Sequence, residues 1–258
     1  MIEWHGFCLP KSKKLREAVP RPGLTGEMIA NIQDNFARVE ERIAAACLRS
    51  GRRRRDVNLV VVSKTHPAES VRAAYAVGVR DFGENRVQEA KSKRQDLADL
   101  DATWHMLGHL QSNKARAARE LFQWVHSVDS YRLAERLAQA ANAGEARLPV
   151  LIEVNLGEET SKAGVRDGEV EALAEQIAPL ASLELRGLMV IPPYSVSPED
   201  VRPYFRKLRA LAFEIESRKL PNVSMVELSM GMSNDFEVAI EEGATIVRVG
   251  TAIFGERP

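Results

Sequence analysis

The sequence predicts an α/β protein whose parallel strands close into one barrel, and three observations carry that expectation. Short β-branched runs alternate with amphipathic stretches from about residue 58 onward, the rhythm of a parallel sheet with right-handed crossovers. Eight such strands are legible, and 258 residues match the roughly 250 that one eight-stranded α/β barrel needs. The first turn, Ser63-Lys64-Thr65-His66-Pro67, lacks the glycines that an open doubly wound sheet usually places there, which leaves that sheet as the alternative. The expected fold is therefore α/β, a single TIM-type (β/α)8 barrel with an N-terminal covering helix.

Taken in order, residues 1–24 hold Pro10, Pro20, Pro22 and a basic cluster, Lys11, Lys13, Lys14 and Arg16, and read as a flexible tail. The barrel domain is expected over 25–258. Across 27–50 apolar residues recur at Ile29, Ile32, Phe36, Val39, Ile43 and Cys47, which is helical spacing with one apolar stripe, and Gly51 supplies a stop. The arginines 52–55 form a linker expected to face water. The first strand lies in Asn58-Leu59-Val60-Val61-Val62, a run that reads as a buried parallel strand. Further strands are expected at 80–82, 103–107, 124–128, 150–154, 183–190, 223–228 and 245–249. Helices are expected at 68–77, after Asn85 to about 98, and at 113–121, 130–142, 168–178, 198–218 and 234–241. Seven helices fall between eight strands, so the helix at 27–50 is expected to supply the missing cover.

Composition narrows the function classes. Lysine plus arginine and aspartate plus glutamate balance at 36 each, so bulk charge gives no reason to expect nucleic acid or an anionic membrane as partner. No apolar run approaches the roughly 18 residues of a membrane span. The first residues lack the basic start and small-residue cleavage site of a signal peptide. Two cysteines, Cys8 and Cys47, build no disulfide framework, and a reducing, cytoplasmic setting is the expectation.

In a barrel of this kind the carboxyl ends of the strands share one active face. Alternation puts Lys64 on the side of Val60 and Val62, where a charged, unpaired amine is costly. Either the amine reaches water or a carboxylate, or it is a desolvated nucleophile suited to Schiff-base chemistry. Asn85 follows the second strand, His105 and His109 flank Gly108 on the third, and Met189 and Ile191 end the sixth. The His pair lacks a matching Cys, Asp or Glu cluster, so hydrogen bonding or stacking is expected rather than a metal. After the seventh strand Gly231 permits close backbone approach. Ser233 or Asn234 is expected to cap the next helix, with Glu237 closing a box with Asn234. That helix start, and Gly250-Thr251 beside it, are the two expected anion positions. Arg248 alternates with Ile246 and points inward, where it needs an acceptor: an acidic neighbour or a ring nitrogen of a bound cofactor.

Five stretches carry a resemblance. Val61-Val62-Ser63-Lys64-Thr65, Phe82-Gly83-Glu84-Asn85, Trp104 through Lys114, Leu228 through Ser233 and Arg248 through Gly255 resemble the pyridoxal phosphate homeostasis proteins, which are related to the barrel domain of bacterial alanine racemase. The resemblance spans roughly 27–257, with the motifs in the right order. It implies pyridoxal 5′-phosphate as cofactor, held as a Schiff base on Lys64. It makes Ser229, Ser233, Gly250 and Thr251 the phosphate-site candidates, with the choice between Ser229 and Ser233 open. It sets Arg248 against the pyridine nitrogen, and Asn85, His105 and Met189 along the cofactor. Racemases carry a second, β-rich domain that supplies a catalytic tyrosine across a dimer. This chain reaches Pro258 without one, so it is expected to manage the cofactor rather than turn over a substrate. The expected role is buffering or delivery to apo-enzymes, as a monomer or weak dimer, with no nucleic acid and no membrane as partner. The competing readings are a one-domain racemase or aldolase, and a barrel that binds another phosphorylated ligand.

Overall fold

Eight parallel strands close on themselves: β1 (Asn58–Val62), β2 (Asp81–Glu84), β3 (Thr103–Met106), β4 (Trp124–Val128), β5 (Leu148–Asn155), β7 (Leu183–Val190), β8 (Val223–Ser229) and β9 (Ile246–Val249). Each pairs with the next, and β1 pairs with β9 to seal the ring, with Val61 opposite Val249. The two-residue β6 (Val165–Arg166) lies against the end of β5 and was not expected. This architecture is that of a computed structural model, which describes residues 25–157 and 163–255. The tail expected over 1–24, with Cys8, lies outside the described residues.

Strand alternation splits the apolar residues into two cores. On β1, Val60 faces the barrel axis with Leu107, Leu151, Met189 and Ile246, and Val62 packs on the edge of that inner cluster. Leu59 and Val61 face the helices and join the larger outer core. β9 repeats the pattern, with Ile246 inside and Val247 and Val249 outside. The crossovers carry α2 (Ala68–Ala76), α3 (Val87–Asp96), α4 (Ala115–Leu121), α5 (Tyr131–Gln139), α6 (Val170–Ile177), α7 (Arg202–Ser217) and α8 (Phe236–Glu241), and the short α9 (Thr251–Phe254) follows β9. Sequence bounds missed by one to three residues at many ends. Pro149 hid the start of β5, because a proline reads as a strand breaker.

The covering helix is α1 (Gly26–Arg49), and it packs against α8, α9 and α2. Thr25 caps it, its hydroxyl accepting from the Met28 N–H at 3.1 Å. Ile32, Val39, Ile43, Ala46 and Cys47 are buried, whereas Ile29 and Phe36, expected on the same stripe, are only partly so. The arginine linker departs from expectation at two of its four residues, while Arg53 and Arg55 are exposed as expected. Arg52 donates to the carbonyls of Ile240 and Ala244, and Arg54 pairs with Glu40 at 2.7 Å. These guanidiniums close the bottom of the β1–β9 seam instead of facing water.

Candidate functional site

Lys64 stands two residues beyond β1, at the barrel mouth. It and Thr65 occupy the centre of a tight turn closed by the His66 N–H donating to the Ser63 carbonyl at 3.1 Å. Thr65 has φ +67°, an uncommon conformation for a β-branched residue. A buried brace holds the turn. Lys93 of α3 donates to the Ser63 carbonyl (2.6 Å), to Glu84 (2.7 Å) and to Glu89 (2.8 Å). Ser63 Oγ donates to Glu84 at 2.6 Å, and the Thr65 N–H donates to Glu89. Burial pushes the Glu84 carboxyl above its ordinary range against the pull of Lys93. Burial also acts upward on Glu89, but the bonds from Lys93 and Thr65 outweigh it and hold that carboxyl low. Sequence reasoning missed this brace; a buried-strand glutamate, Glu84, was its visible sign.

Arg248 points into the barrel, as its alternation with Ile246 required. It is buried, and its guanidinium donates to Ser229 Oγ at 2.7 Å and to the Val190 carbonyl at 2.8 Å. Among the described residues no carboxylate lies within ion-pair distance of it, and burial pushes its pKa down to about 10. From Ser229 a polar chain crosses the barrel: Ser229 Oγ to His126 Nδ1 (2.9 Å), His126 Nε2 to His105 Nδ1 (3.0 Å), and His105 Nε2 to Asp81 Oδ1 (3.0 Å). Burial, with His105 and Arg248 nearby, holds His126 well below 6.5. His105 thus lies inside the barrel, while His109 sits exposed at the rim, 2.9 Å from Asp129. His105 and His109, four residues apart, therefore do not face the same space.

The loops after β8 and β9 meet at the mouth. Gly231 has φ +92°, and a Cβ there would lie 2.6 Å from Ala239 and 2.8 Å from Phe236, so the sharp path of the loop requires glycine. The expected cap on α8 is corrected. Asp235 holds the N-cap position, and its carboxylate accepts from the Met232 N–H at 2.6 Å. Asn234 donates to the Ser195 carbonyl instead, and Glu237 pairs with Arg42 and Arg49 of α1. Ser233 Oγ lies 3.4 Å from the Ala252 N–H, at the start of α9 beside Gly250 and Thr251. A Cβ on Gly250 would come within 3.0 Å of the Val62 carbonyl, and His66 stacks on Phe254 at 4.7 Å. The Lys64 turn and the Gly250-Thr251 loop are therefore neighbours. Ser229 is fully buried below them and engaged with Arg248.

The far side of the mouth holds a cavity of about 300 Å³ lined by Asn85, Leu107, His109, Glu153, Asn155 and Ile191, among others. Met189 lies buried beneath it, opposite Glu153 in the β5–β7 register. Glu153 was missed from sequence. It is 6% exposed, its Oε2 has no hydrogen-bond partner among the described residues, and burial followed by the Asp129 charge raises its pKa to about 7. The signal was a lone glutamate in the apolar run Val150-Leu151-Ile152-Glu153-Val154, alternating with the inward Leu151. Among the described residues, no group of three or more His, Cys, Asp or Glu is placed to hold a metal ion.

A closed parallel barrel with a lysine turn after its first strand and a buried inward arginine on its last defines a protein of the alanine racemase barrel class. The family model for the alanine racemase N-terminal domain matches residues 30–258. Pyridoxal phosphate homeostasis proteins are similar over nearly their whole length. That of Aquifex aeolicus is 48% identical over 227 residues, 88% of this chain and 99% of the relative; that of Pseudomonas aeruginosa is 46% identical over 229 residues, 89% and 97%. The structure of PipY from Synechococcus elongatus with pyridoxal phosphate bound matches with TM-score 0.76 and 44% identity, covering 87% of this chain and all of that one. Alanine racemase of Corynebacterium glutamicum, 16% identical with TM-score 0.68 over 88% of this chain and 62% of its own, shares the fold. The chain belongs to the pyridoxal phosphate homeostasis protein family.

Proposed function

We propose that this chain binds pyridoxal 5′-phosphate through Lys64 and serves the intracellular homeostasis of that cofactor, buffering or delivering it, without strong catalysis of its own. The observation that carries the reading is the placement of Lys64 in a braced turn beside Ser233, Gly250 and Thr251, in a chain 44% identical to one whose structure holds that cofactor. The residues fit the group. A buried arginine with no carboxylate partner suits a ligand that offers an acceptor, and Arg248 is the residue that would face the ring nitrogen. Ser233, with Gly250 and Thr251, is the phosphate choice over Ser229, whose hydroxyl is committed to Arg248 and His126. Asn85 would line the cofactor at the rim, with Met189 beneath it. His105 would act at one remove, through His126.

When bound, the cofactor supplies an electron sink for the α-carbon of an amino acid. A guanidinium donates and never accepts, so Arg248 would keep the ring nitrogen without a proton and weaken that sink. The reading extends to a cytoplasmic monomer or weak dimer that passes the cofactor to apo-enzymes. No helix among the described residues is long and apolar enough to cross a membrane. It also treats 25–258 as the binding domain, so removal of residues 1–22 should leave binding intact.

Glu153 favours a second reading, a one-domain racemase. A carboxyl with a pKa near 7 in the mouth is a candidate second base besides Lys64. One set of experiments separates the two. Loading is expected to produce a visible absorption band that Lys64→Ala abolishes, and borohydride should fix the added mass on the peptide containing Lys64. Label on another lysine would refute the site. Amino acids in heavy water should show little α-deuteration or inversion. Rapid racemisation that is lost in both Lys64→Ala and Glu153→Gln would establish the enzyme.

A further inference from the structure

Outside the barrel wall, between α4 and α5, a groove of about 510 Å³ shares no lining residue with the mouth cavity. Arg116 of α4 and Arg132 and Arg136 of α5 line it, with Ser112, Asn113 and Gln139 supplying hydroxyl and amide groups. Ala115 and Ala140 complete the lining, where larger side chains would take up the volume. Among the described residues, no carboxylate pairs with Arg132 or Arg136. Arg116 has only Glu120, 3.6 Å away, with both side chains exposed. Some arginines elsewhere on the outer wall are matched, Arg42 and Arg49 by Glu237 and Glu241, and Arg202 and Arg206 by Glu242, whereas here three guanidiniums converge on one groove. In a chain of zero formal net charge, the groove is a local cationic excess.

The motif Trp104 through Lys114 divides at this point. His105 faces the barrel interior and His109 the rim, whereas Ser112 and Asn113 turn to the groove, so the cofactor site leaves the second half of the motif unused. Arg132 and Arg136 are four residues apart on one helix, so their forks lie on one face, one turn apart. Each fork matches an oxyanion bidentately and stays charged at any physiological pH. Three forks spread over two helices can engage adjacent phosphate groups at once.

We propose that the α4–α5 groove binds a phosphorylated small molecule with two or more adjacent phosphates, of the nucleoside diphosphate class. Its volume lies in the range of roughly 300–1,000 Å³ usual for small-molecule sites, and two helices bound it, which favours such a ligand over an extended acidic chain or RNA.

Isothermal titration of the full chain with ADP, pyrophosphate and AMP, at physiological salt, tests this. ADP and pyrophosphate should bind one site, with AMP at least about tenfold weaker, since removing a charge-assisted contact costs a factor of that order. Arg132→Gln/Arg136→Gln should weaken ADP by more than about tenfold on the same basis, with unchanged thermal stability because both side chains are exposed. Lys64→Ala should leave ADP binding as it was, which separates this site from a phosphate position in the mouth. Unchanged affinity in the double variant, equal competition by sulfate, or binding of an acidic peptide or RNA without ADP would each overturn the proposal.

Discussion

Arg248 donates to the hydroxyl of Ser229 across 2.7 Å, while the same oxygen lies 2.9 Å from Nδ1 of His126. A guanidinium has no acceptor, so Ser229 receives from it, and the hydroxyl's own proton is free to go to the ring, the direction expected here. His126 is then bare at Nδ1 and protonated at Nε2, from which it donates to His105, and His105 donates in turn to Asp81. Nitrogen-15 spectra at and above pH 6.5 should show His126 as the neutral Nε2–H form, since burial disfavours its charged form. An Nδ1–H or doubly protonated ring would reject the ordering. Because the folded value lies below 6.5, the neutral ring's contribution is full above that pH and is lost as pH falls through and below it. Ser229→Ala strips Arg248 of an acceptor and should cost about 1–3 kcal/mol in urea unfolding.

The Lys64 turn depends on a pair remote from it in sequence. Lys93→Met would leave Glu84 as a buried, uncompensated carboxylate and should cost about 3–5 kcal/mol. Lys93→Met combined with Glu84→Met should recover much of that loss. Simple addition of the two single losses would show that the pair is not coupled.

Glu153 sets a pH dependence of the opposite sign to that of most carboxylates. The unfolded carboxyl loses its proton near 4.5, while the folded one keeps it until about 7. Its contribution is therefore full below 4.5, falls between 4.5 and 7, and is level above, a loss of about 3 kcal/mol at 1.36 kcal/mol per pH unit. Glu153→Gln should match the parent near pH 4.5 and exceed its stability by about that amount at pH 8. Equal stability at pH 8 would contradict the burial cost.

On α1, Ile43 is fully buried and Ile29 only partly. Ile43→Ala should cost about 2–5 kcal/mol, and Ile29→Ala less than half of that. Equal losses would mean that the helix packs at a different rotation.

What could be read from sequence was whatever alternation decides. Val60 and Ile246 inward, Val61 and Val247 outward, and Arg248 facing the axis all follow from a period of two. The same rule applied to Trp124-Val125-His126 and to Ile152-Glu153-Val154 would have flagged the two inward polar residues that were overlooked. Loop paths were another matter. Asn234 looked like a cap, but the Ser195 carbonyl, 39 residues away, takes its amide, and Asp235 takes the Met232 N–H. Where Ser229 and Ser233 come to lie depends on where Gly231 redirects the chain, and Lys93 meets Glu84 only once α3 is docked against the sheet.

The cover that α1 makes over α8 and α9 bears on how the chain folds. Asn35 bonds the Ile253 carbonyl, Arg42 reaches Glu237 and Arg49 reaches Glu241, with sequence separations of 218, 195 and 192 residues. Closing loops of that length raises contact order and slows folding. During synthesis α1 leaves the ribosome before any strand of the barrel, yet the surfaces of α8 and α9 that cover its apolar stripe are made among the last. At about 5–20 residues per second the stripe waits roughly ten seconds or more for its partners. Of the described helices the first made is among the last to be buried, and in that interval its apolar face is open to a chaperone or to aggregation.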